Sequence, residues 1–301
     1  MKNKSKKLLV ILGPTASGKS ALAVELAQIF QGEIISADSR QVYKGLDIGA
    51  NKITKEEMKG IPHHLLDVAD PKIPFSVEQY KTLAREAIAG AGARDRLPIL
   101  CGGSGFYISA VLGDVSLPQV PPNPSLRASL AKETPEALFA RLQKLDPARA
   151  QTIDPSNKIR VIRAIEIARA LGKVPPLPDA LNSAYDTLQI GLIVPDEALK
   201  AGITVRIFAR IREGMIEEAQ RLHEGGLSYG RMHELGLEYR ALAEYLQGGI
   251  TGEKLAENID KETWQYVKRQ KTWFKRDARI RWFKTEEKEK IIEEVGKWLK
   301  K

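Results

Sequence analysis

The sequence predicts an α/β fold: a parallel-sheet core of phosphate-loop (P-loop) type, a small helical domain inserted into it, and a helical C-terminal part. Three observations predict it. Gly13, Pro14, Thr15, Ala16, Ser17, Gly18, Lys19 and Ser20 read G-P-T-A-S-G-K-S and fit the phosphate-loop pattern G-x-x-x-x-G-K-[ST] at every fixed position. Short apolar runs alternate with helix-forming segments through the first third of the chain, as in strand–helix–strand units of a parallel sheet. Two proline clusters then bracket a stretch that reads as helical.

Taken in order, Leu8–Leu12 is an apolar run that suits a buried strand, and Ala21–Ala27 is rich in strong helix formers. The loop between them places backbone N–H groups and the positive end of a helix dipole around an anion. Lys19 adds a point charge, and the Ser20 hydroxyl can hold Mg²⁺ or a phosphoryl oxygen. The loop alone leaves open NTP hydrolysis, phosphoryl transfer, or use of diphosphate as a leaving group. Glu33–Ala37 reads as a second strand that ends at Asp38-Ser39-Arg40-Gln41. A helical stretch over Phe75–Ala89 precedes Leu97–Cys101, which runs into Gly102-Gly103-Ser104-Gly105. Ligands of parallel sheets gather at the carboxyl ends of the strands. The phosphate loop, the Asp38 turn and the Ser104 turn are therefore expected on one edge.

The proline-rich segment Leu117–Pro124 reads as a linker, followed by helical segments near Ser125–Lys132, Pro135–Leu145 and Ile159–Leu171. A second cluster, Pro175-Pro176-Leu177-Pro178, closes the stretch, and Gln189–Val194 reads as a further core strand. The expected organisation is a catalytic core in two segments, 1–114 and 187–301, around a helical insertion, 115–186. From Thr204 onward the chain reads as mostly helical, without repeats.

A hydrophobic content of 43% and a charged content of 28% are those of a globular protein. Cys101 is the single cysteine, which excludes an internal disulfide and a thiolate zinc cluster and fits a reducing cytoplasm. The N-terminal lysines, Lys2, Lys4, Lys6 and Lys7, precede an apolar run too short for a signal peptide. No stretch approaches the roughly 20 apolar residues of a membrane span, and nothing demands more than a monomer. The net charge of +9 is concentrated late in the chain. Lys268, Arg269, Lys271, Lys275, Arg276, Arg279, Arg281 and Lys284 are interleaved with Trp264, Tyr266, Trp273, Phe274, Trp282 and Phe283. Cations neutralise backbone phosphates and aromatics stack on bases, although an amphipathic helix with an aromatic core face accounts for the same pattern.

Asp38 has three readings: a cap of the following turn, a carboxylate that positions Mg²⁺, or a general base beside the phosphate site. The strand ending at Cys101 carries no terminal acid, which argues against an ordinary ATPase. Arg206 and Arg210 lie i, i+4 on one helix face, where they could stabilise a departing anion or pair with Glu213 or Glu217. Arg160 and Arg163 could grip phosphates or solvate their helix. His63-His64 has no Cys or carboxylate cluster nearby and reads as structural, and Cys101 reads as a buried, inert thiol.

Taken together, the segments resemble the tRNA dimethylallyltransferases. The resemblance is carried by G-P-T-A-S-G-K-S (Gly13–Ser20), D-S-R-Q-V-Y-K-G-L-D-I-G (Asp38–Gly49) and P-H-H-L-L-D (Pro62–Asp67). It continues through G-G-S-G-F-Y-I (Gly102–Ile108), I-R-V-I-R-A-I-E (Ile159–Glu166) and K-R-Q-K-T-W-F (Lys268–Phe274). It implies a P-loop NTPase-like core, Mg²⁺ as cofactor, and two substrates, dimethylallyl diphosphate and the tRNA anticodon stem-loop. The implied reaction moves the dimethylallyl group to the exocyclic amine of the adenosine immediately 3′ of the anticodon.

By motif matching, Asp38 is the general base, Thr15 to Ser20 hold the diphosphate with Ser20 near its bridging oxygen, and Arg210 stabilises the departing group. Asp38, Ser39, Arg40, Gln41, Ser104, Arg127, Ile159, Arg160, Val161, Ile162 and Arg163 fall where the family contacts tRNA. Lys268 and Arg269 are expected to add phosphate contacts. Ser20 and Ser104 stand where threonine is usual, keeping the hydroxyl, and Trp264 stands where arginine is common. With one cysteine there is no C-terminal zinc finger, so the chain resembles the shorter bacterial form. Three other readings share the loop: a small-molecule or nucleoside kinase, prenylation of free adenosine nucleotides, and an RNA-binding module that senses nucleotide.

Overall fold

The computed structural model describes residues 6–115, 117–175 and 184–301. The proline cluster at 176–178 and the lysines at 2 and 4 lie outside the described residues. The chain divides into two compact units, one formed by Met1–Leu112 with Ser183–Lys301 and the other by Gly113–Asn182.

The larger unit begins with β1 (Lys6–Leu12), α1 (Lys19–Ile29), β2 (Gly32–Ser36), α2 (Lys55–Met58), β3 (His63–His64), α3 (Val77–Ala93), β4 (Leu97–Gly102) and α4 (Gly105–Leu112). The smaller unit holds α5 (Pro124–Leu130), α6 (Pro135–Leu145), α7 (Pro147–Thr152) and α8 (Lys158–Leu171). The larger unit resumes with β5 (Tyr185–Ile193), α9 (Asp196–Arg212), α10 (Met215–Glu224), α11 (Tyr229–Leu235) and α12 (Leu237–Leu246). It closes with α13 (Gly252–Phe274), β6 (Ile280–Lys284) and α14 (Lys288–Leu299).

The strands form one sheet in the order β3-β2-β4-β1-β5-β6, and every pairing is parallel. A central parallel strand is covered on both faces, which is why Leu8 to Leu12 is apolar at every position rather than at alternate ones. Side chains alternate across the pleat. Leu8, Val10 and Leu12 pack on the face that carries α3, α4 and the helices α9 to α13. Leu9 and Ile11 pack on the opposite face with α1 and α14. Gly102 permits the close approach of β2 and β4, since a Cβ there would lie 2.1 Å from the Ala37 carbonyl oxygen.

One element departs from the sequence reading. The run expected to continue as helix past Phe274 turns instead into β6, which adds to the sheet beside β5. Trp282 and Phe283 therefore stand on an edge strand and not on a helix face. His63-His64 is a two-residue edge strand, held by contacts to Ile61 and Glu33.

In the smaller unit, Leu130, Leu138, Leu142, Val161 and Ile165 form a separate core. Glu166 is buried within it and ties α8 to the segment before α5. It accepts from the Asn123 backbone N–H at 2.6 Å and from both Nε (3.0 Å) and Nη2 (2.6 Å) of Arg127, and it pairs with Arg163.

Candidate active site

The turns that follow β1, β2 and β4 meet at the carboxyl end of the sheet, inside the larger unit. The first two and the end of β4 line a cavity of about 400 Å³ together with residues of α9, α12 and α13.

Gly18 takes a left-handed conformation (φ 81°) immediately before α1, and α1 has no side-chain cap. The N–H groups of its first turn are therefore free of side-chain acceptors and face the loop. Ala16 is also left-handed (φ 66°), a conformation that costs a residue with a Cβ roughly 1–2 kcal/mol. Thr15, Ala16, Lys19 and Ser20 line the main cavity. Ala16 to Ser20 also line an adjoining space of about 240 Å³. Gly13 and Pro14 are buried and line neither space; Gly13 packs with its Cα against Ser17. The Thr15 N–H is not available to an anion, because it donates to Gln270 Oε1 at 3.0 Å. Ser17 Oγ is buried without a hydrogen-bond partner among the described residues. Lys19 Nζ donates to the Pro14 carbonyl at 3.1 Å, and burial pushes its ammonium down from the ordinary lysine value.

Asp38 fits the capping reading and leaves one oxygen toward the cavity. Its Oδ1 accepts from the backbone N–H groups of Arg40 (2.8 Å) and Gln41 (3.4 Å), so it caps its own turn. Among the described residues Oδ2 has no hydrogen-bond partner, and the side chain lines the cavity. The Ser39 N–H donates to Ser104 Oγ at 3.1 Å, which stitches the β2 turn to the β4 turn. Ser39, Arg40 and Gln41 line the cavity, while Ser104 is buried behind it.

Arg206 and Arg210 share a face of α9, and both line the cavity. Neither pairs with Glu213 or Glu217. Arg210 is only 8% exposed, and its Nη1 donates to the Gly49 carbonyl (2.8 Å) and to Glu238 Oε1 (3.1 Å). Its Nε is buried without a partner. An arginine that lines the cavity and is held through Nη1 is suited to an incoming anion.

The basic, aromatic C-terminal run divides between core and surface. Phe274 is buried, and Trp264 and Trp273 pack against the same core. Lys271, Arg279 and Arg281 pair with Asp196, Asp277 and Glu294. Lys268, Arg269, Lys275 and Arg276 are exposed and carry no ion pair among the described residues. Arg269 lies over the Tyr266 ring, 5.8 Å from its centroid, and both line the cavity.

In the helical unit, Ile159 is 82% exposed and Arg160 is exposed, whereas Val161 and Ile162 are buried in that unit's core. Arg127 and Arg163 are already engaged by Glu166. Cys101 is buried, and desolvation pushes its thiol up to about 11, consistent with an inert thiol.

Two site residues had no role assigned from the sequence, and a third, Tyr266, was singled out only as one of the aromatics of the basic run. Gln270 accepts from Thr15 and donates through Nε2 to the Gly103 carbonyl at 2.9 Å, joining two of the three turns. Tyr266 lies near Asp38, and burial followed by that carboxylate pushes its phenol up. Glu238 completes the setting of Arg210.

A phosphate loop, a carboxylate closing the next strand and a buried, half-satisfied arginine around one cavity define a group-transfer enzyme of the P-loop class. Residues 41–277 match the model of the IPP transferase family, and the chain belongs to that family. It is 44% identical to the tRNA dimethylallyltransferase of Roseiflexus sp. (strain RS-1) over 276 residues, 89% of this chain and 90% of that protein. It is 41% identical to the tRNA dimethylallyltransferase of Anoxybacillus flavithermus, covering 92% of this chain and 90% of the other. Among solved structures, the full-length tRNA isopentenylpyrophosphate transferase of Bacillus halodurans superposes with a TM-score of 0.74 at 35% identity, over 99% of this chain and 97% of that one. A eukaryotic dimethylallyltransferase acting on tRNA gives a TM-score of 0.80 at 27% identity, over 93% and 74% of the two chains.

Proposed function

We propose that this chain transfers the dimethylallyl group from dimethylallyl diphosphate to the exocyclic amine of the adenosine immediately 3′ of the anticodon in tRNA, releasing diphosphate. The observation that carries this reading is the shared cavity: the anion-binding loop, the Asp38 carboxylate and Arg210 all open onto it, in a chain whose curated relatives are tRNA dimethylallyltransferases.

The adenine amine is a weak nucleophile, because its lone pair is delocalised into the ring. As its nitrogen bonds to the allylic carbon, the carbon–oxygen bond breaks and its electron pair leaves with diphosphate. Asp38 takes the proton released from nitrogen, with the oxygen that its own turn does not use. A positioned base contributes about 10²–10⁴-fold. The amides of the first turn of α1, Lys19 and Arg210 face the charge that grows on the leaving diphosphate. Ser20 sits beside its bridging oxygen in this reading.

Mg²⁺ dependence is part of the proposal. Among the described residues no group of three or more His, Cys or acidic side chains forms a metal site. The donors beside the loop are oxygens, the Ser20 hydroxyl and the Asp38 carboxylate. Such a set suits a hard cation held by one or two protein oxygens together with substrate phosphates. Bound there, it would supply positive charge against the diphosphate oxygens.

The tRNA contacts are assigned to Ser39, Arg40 and Gln41 at the cavity, with Ser104 buried behind them and acting through Ser39, and to Lys268 and Arg269 on α13. In the helical unit they fall to the Arg127 region and the Ile159–Arg163 turn, through its exposed members. A base inside a loop must be extruded before its amine is reached. Among the described residues no helix is long and apolar enough to cross a membrane; a cytoplasmic location and a monomeric state are part of the proposal.

The test incubates the protein with Mg²⁺, labelled dimethylallyl diphosphate, and either unmodified tRNA or free adenosine nucleotides. Label in tRNA alone is the expected result. Label in free nucleotides, or ATP turnover without prenyl transfer, would replace the proposal with the corresponding alternative.

A further inference from the structure

Glu218, on α10, is buried and does not line the cavity, but it fixes the loop that leads into Ala50 and Asn51, which do. Its Oε2 accepts from the backbone N–H groups of Asp47 (3.0 Å) and Ile48 (2.7 Å). Its Oε1 accepts from the Gly49 N–H (2.9 Å) and from the Tyr239 hydroxyl (2.8 Å). A buried carboxylate costs stability unless its oxygens are satisfied, and here three consecutive amides and a phenol satisfy them. The loop they fix ends at Gly49, whose carbonyl holds Arg210 Nη1 at 2.8 Å. Gly49 has no freedom to shift toward α12, since a Cβ on it would lie 2.6 Å from the Tyr239 hydroxyl.

We infer that Glu218 is a positioning residue for diphosphate binding, acting through the Asp47–Gly49 loop to aim Arg210 at the anion. This rests on the proposed function. The carboxylate fixes three amides, the amides fix one carbonyl, and the carbonyl together with Glu238 fixes one guanidinium nitrogen. The part of the guanidinium that lines the cavity is left for the ligand. Replacing Glu218 by glutamine puts an NH₂ group against N–H donors at one of the two oxygen positions. The loop must then move, and Arg210 loses its carbonyl anchor.

The experiment measures binding of inorganic pyrophosphate with Mg²⁺ by calorimetry to the full chain, alongside thermal melting, for wild type, Glu218→Gln, Arg210→Ala and the double variant. Glu218→Gln is expected to weaken binding roughly tenfold or more, the scale of a lost charge-assisted hydrogen bond. The double variant is expected to bind no worse than Arg210→Ala alone, because the two residues act in series. Tyr239→Phe removes one donor to the same carboxylate and keeps all three amide bonds, so it should lower the melting temperature and leave pyrophosphate binding near wild type. Losses that add in the double variant, or a Tyr239→Phe defect as large as that of Glu218→Gln, would overturn the inference. If Glu218→Gln does not fold, Glu218→Asp keeps the charge and is put through the same cycle, with binding between wild type and Arg210→Ala expected and wild-type binding overturning the inference. A wild-type protein that fails to bind pyrophosphate would overturn the proposed function along with it.

Discussion

Asp38 shows how one side chain can close a turn and still present an oxygen for the base role proposed for it. One carboxylate oxygen closes the turn after β2 and the other is left to the cavity. Asp38→Asn should therefore keep the turn, because an amide oxygen still accepts from Arg40 and Gln41, and lose the base. We expect single-turnover prenyl transfer to fall by about 10²-fold or more while tRNA affinity, measured by filter binding, stays near wild type. Near-normal transfer by this variant would remove Asp38 from the base role. Asp38 and Lys19 were legible in the sequence because each belongs to a local motif at the end of a strand. Gln270 and Glu238 were not, because their roles exist only through partners distant along the chain, such as Thr15, 255 residues from Gln270. Arg127 and Arg163 were legible as cations but not as partners of the buried Glu166.

At the scale of elements, single carboxylates join helices to strands. Glu33 of β2 is buried against Arg94, which ends α3, and His64 of β3. The Arg94 hydrogen bonds hold the Glu33 carboxyl down at about 2, against an ordinary value of 4.5. A depressed carboxylate contributes stability that is fully present above its unfolded value and is lost as pH falls through the folded one. The stability gap between wild type and Glu33→Gln, read from urea melts, should accordingly be largest above pH about 4.5 and shrink toward pH about 2. Glu166 should behave alike in the helical unit: burial alone would raise it, but Arg127, the Asn123 amide and Arg163 hold it near about 2. Close strand approach gives another test. Gly102→Ala drives a Cβ into the Ala37 carbonyl and should cost about 3 kcal/mol in denaturant titrations. The strands β1, β2, β4 and β5 were readable as apolar runs, whereas β6 was not. Much of Ile280–Lys284 is exposed at the sheet edge and carries the charge of a surface helix, so only its pairing with β5 defines it.

At the scale of the whole molecule, the excess of cations is not spread evenly. Lys268 and Arg269 lie on α13 without ion pairs among the described residues, and Arg269 lies at the cavity rim. Replacing both with alanine should weaken tRNA binding and lower the slope of log affinity against log salt by about 1 for each charge removed. Transfer at saturating tRNA should be less affected than affinity. An unchanged slope would place the phosphate contacts elsewhere. The charge pattern was plain in the sequence, but its division into paired and unpaired cations depended on Asp196, Asp277 and Glu294, two of them far from the run in sequence or on another element.

The Gln270 clamp also orders events in time. Thr15 leaves the ribosome early, and the side chain that accepts its amide is 255 residues behind it. At roughly 5–20 residues per second, that delay is on the order of 10–50 s. Throughout it the phosphate loop exists as sequence without the bond that ties it to the β4 turn. The newborn chain is thus kept from having a finished anion site until its last quarter has been made.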